Sequence, residues 1–166
     1  MSLMVDLDSD PIGSIFPIPM TQKKYSELIE ESGEMDISFV GVGINGHIAF
    51  NEPPEPGDLV SSDEFTDLPT RIVTLSVETR TINSVTAAGG EIEIIPRRAV
   101  TIGIREIMGA KKIMIYMNRP WQKAAVRRIL HGEITTRFPA SLIKCHRDVS
   151  VTITREVSEL PLLTLA

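Results

Sequence analysis

Cysteine is almost missing from this chain: Cys145 is the only one in 166 residues. A single thiol excludes an internal disulfide and a zinc site built from cysteines, and as a small apolar side chain it is expected to be buried. No apolar run approaches the length of a membrane span. Met1-Ser2-Leu3-Met4 lacks the basic region and apolar stretch of a secretory signal or transit peptide, so a cytoplasmic location is the expectation. An excess of positive charge is lacking as well. A net charge of −5 argues against nucleic acid or an anionic membrane as partner, since both are bound through basic surfaces. A small anionic ligand stays compatible, because it needs only a few local cations or helix N-termini. What is present, 42% apolar and 23% charged residues, is the composition of an ordinary globular domain, with length for one core.

Residues 1–20 combine acids with Pro11, Gly13, Pro17 and Pro19 and read as an arm or loop; 21–155 read as one domain and 156–166 as a tail. Thr21 can cap a helix that places Tyr25, Leu28 and Ile29 on one face and stops at Gly33. The almost continuously apolar stretch 37–42 predicts a strand covered on both faces of a parallel sheet. Residues 53–69 are prolines and acids, too polar for a core, and read as a loop. Val73, Leu75 and Val77 alternate with Thr74 and Ser76 as in a half-buried strand. A short strand from Ala99, a helical turn over 106–110 and a second apolar strand over 113–117 follow. A helix over 120–131 turns Ala125, Ile129 and Leu130 to a sheet and ends at Gly132. A last alternating strand, with Val149, Val151 and Ile153 on one side, belongs near an edge. The order predicts an α/β fold, a mostly parallel sheet with flanking helices, in which ligands sit at the carboxyl ends of strands.

Directly after the first strand comes Gly43-Ile44-Asn45-Gly46-His47-Ile48-Ala49-Phe50-Asn51-Glu52-Pro53. Glycines around the turn allow close backbone approach to a ligand, while Asn45, His47 and Glu52 bring an amide, an imidazole and a carboxylate to one strand end. An isolated His/Glu pair is more often a structural histidine beside a loop acid, but the whole string reverses that balance.

The string closely resembles the signature of the glucosamine-6-phosphate isomerase/deaminase family, with Asn45 where many members have Asp. The resemblance continues through Thr70-Arg71-Ile72-Val73-Thr74-Leu75, Thr79-Arg80-Thr81-Ile82-Asn83-Ser84, the stretch 96–103, 107–111, Gln122-Lys123-Ala124, His131-Gly132 and Pro139-Ala140-Ser141-Leu142. It spans roughly residues 25 to 155 and implies a Rossmann-like fold of which this chain holds the C-terminal part. The sister 6-phosphogluconolactonases share the glycine-rich turn but continue it differently after the histidine, and a lactonase reading ranks behind.

The resemblance implies that His47 opens the sugar ring, moving a proton between the anomeric hydroxyl and the ring oxygen, with Asn45 and Glu52 orienting and tuning it. An amide orients but supplies no charge, so Glu52 is the expected ionic partner of His47. Gly43 and Gly46 belong to the substrate-binding turn by the same reading. Lys123 matches a lysine that holds the substrate phosphate, in the first turn of a helix where an anion is favoured. No metal or organic cofactor is implied. Three departures stand out: Val85 replaces an arginine that also contacts phosphate, the loop over 54–67 is longer and more acidic, and the N-terminal part with its phosphate loop and proton-abstracting aspartate has no counterpart in 1–24. The implied activity is conversion of glucosamine-6-phosphate and water to fructose-6-phosphate and ammonia. A sugar-phosphate binder or assembly protein with impaired catalysis is the alternative. A strand 37–42 uncovered on one side further predicts a homo-oligomer.

Overall fold

The computed structural model describes residues 22–33 and 35–160, so the expected arm, the cap at Thr21 and the end of the tail lie outside the described residues. Three parallel strands form the main sheet: β1 (Ile37–Val40), β4 (Lys112–Met117) and β5 (Val149–Ile153), in the order β1-β4-β5. Ile37 pairs with Lys112, and Ile113 pairs with Val149. β5 lies at an edge, as its alternating pattern predicts. A separate antiparallel pair joins β2 (Arg71–Thr74) to β3 (Arg98–Thr101), with Arg71 opposite Thr101. Among the described residues six α-helices accompany them: α1 (Gln22–Glu31), α2 (Ser62–Thr66), α3 (Val77–Ala87), α4 (Ile104–Met108), α5 (Lys123–His131) and α6 (Arg155–Ser158).

The core sits on one face of the main sheet. Ile113, Ile115 and Met117 of β4 are sealed there beneath Ala125, Val126 and Ile129 of α5 and beneath Ile104 and Ile107 of α4. The spacing of the α5 residues is the apolar stripe of an amphipathic helix. Leu130, expected on that stripe, is instead exposed, and Val126 takes the inward position. The opposite face is open among the described residues. Ile37 and Phe39 of β1 are 43% and 62% exposed, and Phe39 stacks on the exposed Tyr116 with ring centroids 6.3 Å apart. The expectation of a strand buried on both faces therefore fails, because described helices pack densely on one side only. The face that Tyr25 and Leu28 share on α1 is likewise exposed, and Tyr25 lines a groove of about 420 Å³ beside Phe39.

Residues 53–69 are not all loop. Ser61 and Glu64 form a reciprocal capping box, and α2 drives Phe65 into the core at 3% exposure. Arg137 donates to the carbonyls of Pro54, Glu55 and Asp58, which ties the acidic segment down. The strand expected to reach Val77 stops at Thr74; Ser76 caps α3 by accepting from the Thr79 amide, and Val77 points out. Cys145, expected buried, is exposed at the end of the 3₁₀ segment Pro139–Cys145. Val157 of α6 is wholly buried, so the core continues past residue 155.

Candidate functional site

The turn after β1 is shaped by two glycines with different duties. A Cβ on Gly43 would overlap the His47 imidazole, so only glycine lets that ring lie across the backbone. Gly46 has φ +88, and a Cβ there would run into the Phe138 ring. Gly43 lines a pocket, whereas Gly46 packs away against Phe138; of the two glycines expected at the substrate, the structure brings one to the pocket. The Gly46 carbonyl accepts from the Ala140 amide at 2.8 Å, fixing the turn to the segment after Phe138. Ala49 follows with φ 54, a left-handed conformation that is costly for a residue with a side chain. Asn51, fully buried, donates to the carbonyls of Ile48 and Ile102 and accepts from Arg71 Nη1 at 2.7 Å. These bonds clamp the loop rather than face a ligand.

The three residues singled out at this turn do converge. Asn45 Nδ2 donates to Glu52 Oε2 at 2.6 Å and to Ser76 Oγ at 3.1 Å, which orients the amide with its oxygen toward His47. His47 Nδ1 lies 2.9 Å from Asn45 Oδ1, 3.1 Å from Thr79 Oγ1 and 3.5 Å from Glu52 Oε2. Asn45 Oδ1 can only accept, so a proton on Nδ1 satisfies that contact; in that tautomer the Nε2 lone pair is unclaimed by these bonds. Burial of Glu52 opposes its charge, but the bonds and charge of His47, with help from Asn45 and Thr79, more than offset this and hold its carboxyl at about 2, below the ordinary 4.5. Glu52 is thus a carboxylate held 3.5 Å from His47 Nδ1.

The pocket in front of His47 has a volume of about 330 Å³. It is lined by β1's end and the glycine turn, by Ile82, Asn83 and Thr86 of α3, and by Asn118, Arg119, Trp121 and Gln122. Gln122 is buried and bridges two elements: its Nε2 donates to the Val42 carbonyl at 2.8 Å and its Oε1 accepts from the Arg119 amide at 2.9 Å. Lys123 is not among the lining residues; its ammonium pairs with Glu159 Oε2 at 3.2 Å near the surface. Thr79 and Ser76 were assigned no role from the sequence, although Thr79 opens one of the stretches that carry the family resemblance. The missing signal was α3 itself, which brings both residues to the imidazole.

No protein-family model matches the chain. It is 37% identical over 138 residues to a glucosamine-6-phosphate deaminase of Thermoanaerobacter sp. (strain X514), covering 83% of this chain and 50% of that protein. It is 35% identical over 150 residues to glucosamine-6-phosphate deaminase 1 of Bacillus subtilis (strain 168), covering 90% and 57%. Among solved structures, a monomeric glucosamine-6-phosphate deaminase superposes with TM-score 0.72 at 36% identity over 84% of this chain and 53% of that one. A 6-phosphogluconolactonase from Trypanosoma brucei superposes with TM-score 0.56 at 18% identity, over 82% of this chain and 51% of the other, a likeness of fold alone. The chain spans about half the length of the relatives it matches.

Proposed function

We propose that this chain, homologous over most of its length to glucosamine-6-phosphate deaminases, works on glucosamine-6-phosphate, yielding fructose-6-phosphate and ammonia with water as co-substrate. The observation that carries the reading is the His47 arrangement: Nδ1 faces three oxygens, and the imidazole lines the pocket. In ring opening, Nε2 takes the proton of the anomeric hydroxyl and returns it to the ring oxygen, so the imidazole ends as it began. The imidazolium formed in between is stabilised by Glu52, and Asn45 keeps the ring in the productive tautomer. Gly43 leaves room for that ring, and Gly46 shapes the turn behind it. Lys123 is assigned to the substrate phosphate; its pairing with Glu159, 61% exposed, is weak enough to be exchanged for a phosphate contact.

One observation favours a second reading. Isomerisation needs a base for the proton on C2, and no carboxylate lines the pocket among the described residues. A chain that binds and opens the sugar without releasing ammonia accounts for that. Incubation with glucosamine-6-phosphate decides: ammonia and fructose-6-phosphate in equal amounts support the deaminase, whereas binding without ammonia supports the second reading. Hydrolysis of 6-phosphogluconolactone in place of either result would move the chain to the lactonase branch.

A charged sugar phosphate is retained inside cells, which supports a cytoplasmic setting. The edge of β1, unpaired among the described residues, and the exposed Phe39 support assembly into a homodimer.

A further inference from the structure

The start of α3 carries two hydroxyls, on Ser76 and Thr79, and the contacts around them fix which way each one points. Asn45 comes first. Its Oδ1 accepts from the His47 backbone amide at 3.2 Å and its Nδ2 donates to the Glu52 carboxylate, so the side-chain amide has one orientation. Ser76 Oγ then accepts twice, from Asn45 Nδ2 and from the Thr79 backbone amide, each at 3.1 Å. Both of its lone pairs are taken, so the third contact, 3.1 Å to Thr79 Oγ1, is made with the serine's own hydrogen. Thr79 in turn lies 3.1 Å from His47 Nδ1 and also bonds Glu52. With the Nδ1 proton on the Asn45 side, that nitrogen has no lone pair to offer, and the Thr79 hydrogen goes to Glu52.

The Glu52 carboxylate is thus met by four donors: Asn45 Nδ2, the Thr79 hydroxyl, the Ser76 backbone amide at 3.3 Å from Oε1, and the imidazole. Three of the four are neutral, and two come from α3. Thr79 is fully buried, so water does not replace a bond removed there. The charged groups around the imidazole, among the described residues, are Glu52 from its own loop and Arg119, which lines the same pocket from the segment after β4; α3 contributes only neutral groups. A carboxylate left alone beside an imidazole favours the imidazolium, whereas a general base has to be neutral before it acts.

We infer that Ser76 and Thr79 are positioning residues of this site: their hydroxyl chain takes up part of the Glu52 charge and so keeps His47 free to accept a proton near neutral pH. The inference rests on the proposed function for the reaction this base serves. Thr79→Val removes the hydroxyl at nearly constant volume. It is expected to lower ammonia release from glucosamine-6-phosphate about 3- to 10-fold near pH 7, with the loss recovered at about pH 9, because the less compensated carboxylate holds a proton on His47 to higher pH. Thr79→Ser is expected to restore both rate and profile. Ser76→Ala, which leaves Thr79 in place but removes the donor that orients it, is expected to move the profile in the same direction by less, and carries the test if melting curves show Thr79→Val unfolded. Imidazole ¹⁵N NMR across the same pH range reads His47 without catalysis, and is expected to show it losing its proton at higher pH in Thr79→Val than in the unaltered chain. A loss of equal size at every pH, or the same His47 titration in the unaltered chain and the variants, would overturn the inference and leave the proposed function standing. No ammonia release from the unaltered chain would overturn the proposed deaminase activity alone, and the ¹⁵N comparison would still decide whether the hydroxyls tune the imidazole.

Discussion

At the scale of single residues, the site is a set of oxygens arranged around one nitrogen. Asn45 Oδ1, Thr79 Oγ1 and Glu52 Oε2 all face His47 Nδ1, and Gly43 supplies the space in which the ring lies. Replacing Gly43 by Ala must push the imidazole off these partners, so Gly43→Ala is expected to lower turnover about 100-fold or more, with a melting temperature that shows the chain still folded. Loss of stability without loss of activity would contradict this. Glu52 makes a second prediction. Its folded value of about 2 lies below the ordinary 4.5, so its contribution to stability is complete above pH 4.5 and disappears as pH falls through about 2. The shift corresponds to about 3 kcal/mol at most. Urea unfolding from pH 7 to 2 is expected to show Glu52→Gln less stable than the unaltered chain near neutrality and the gap closing across that window. Asn45, His47 and Glu52 were legible because they lie within eight consecutive residues of one recognisable string. Thr79 was not, because its place beside His47 depends on a contact 32 residues away along the chain.

At the scale of elements, the legible pieces are those whose side chains follow one period. β4, β5 and α5 fall close to where apolar alternation or helical spacing puts them. α3 was hidden because Val77, Thr79, Thr81, Ile82, Val85 and Thr86 are β-branched, residues that favour strands when read locally. Packing overrides that preference: Thr79 and Ser84 are buried, and Ser76 caps the first turn. α2 carried a readable signal, Ser61 three residues before Glu64, but the prolines and acids before it favoured a loop. This short helix matters because it delivers Phe65 to the core beside the residues of α4. Phe65→Ala is expected to cost about 3 to 5 kcal/mol in urea unfolding, whereas Ser61→Ala should cost about 1 kcal/mol by removing the cap. A loss below 1 kcal/mol for Phe65→Ala would show that α2 is not part of the cooperative core.

At the scale of the molecule, the sheet is covered on one side and, among the described residues, open on the other. Ile37, Phe39 and Tyr116 form an exposed apolar face next to an edge of β1 that is unpaired among the described residues, and the matched relatives are about twice as long. A solved deaminase of that greater length is monomeric. This chain is expected to form a dimer at micromolar concentration, visible by light scattering, and Phe39→Asp is expected to dissociate it. A soluble, folded monomer of the unaltered chain would contradict that. The open face was only partly legible, since the apolar run 37–42 indicates a buried strand but not what buries it. The claim on which the function rests is narrower: His47 Nε2 meets the ligand while Nδ1 keeps its proton. Imidazole ¹⁵N NMR during a titration with glucosamine-6-phosphate tests it most directly, since the chain has three histidines to resolve. The account predicts that free His47 is protonated on Nδ1 and that its Nε2 resonance moves as ligand is added. A proton resting on Nε2, or a His47 signal indifferent to saturating ligand, would contradict it.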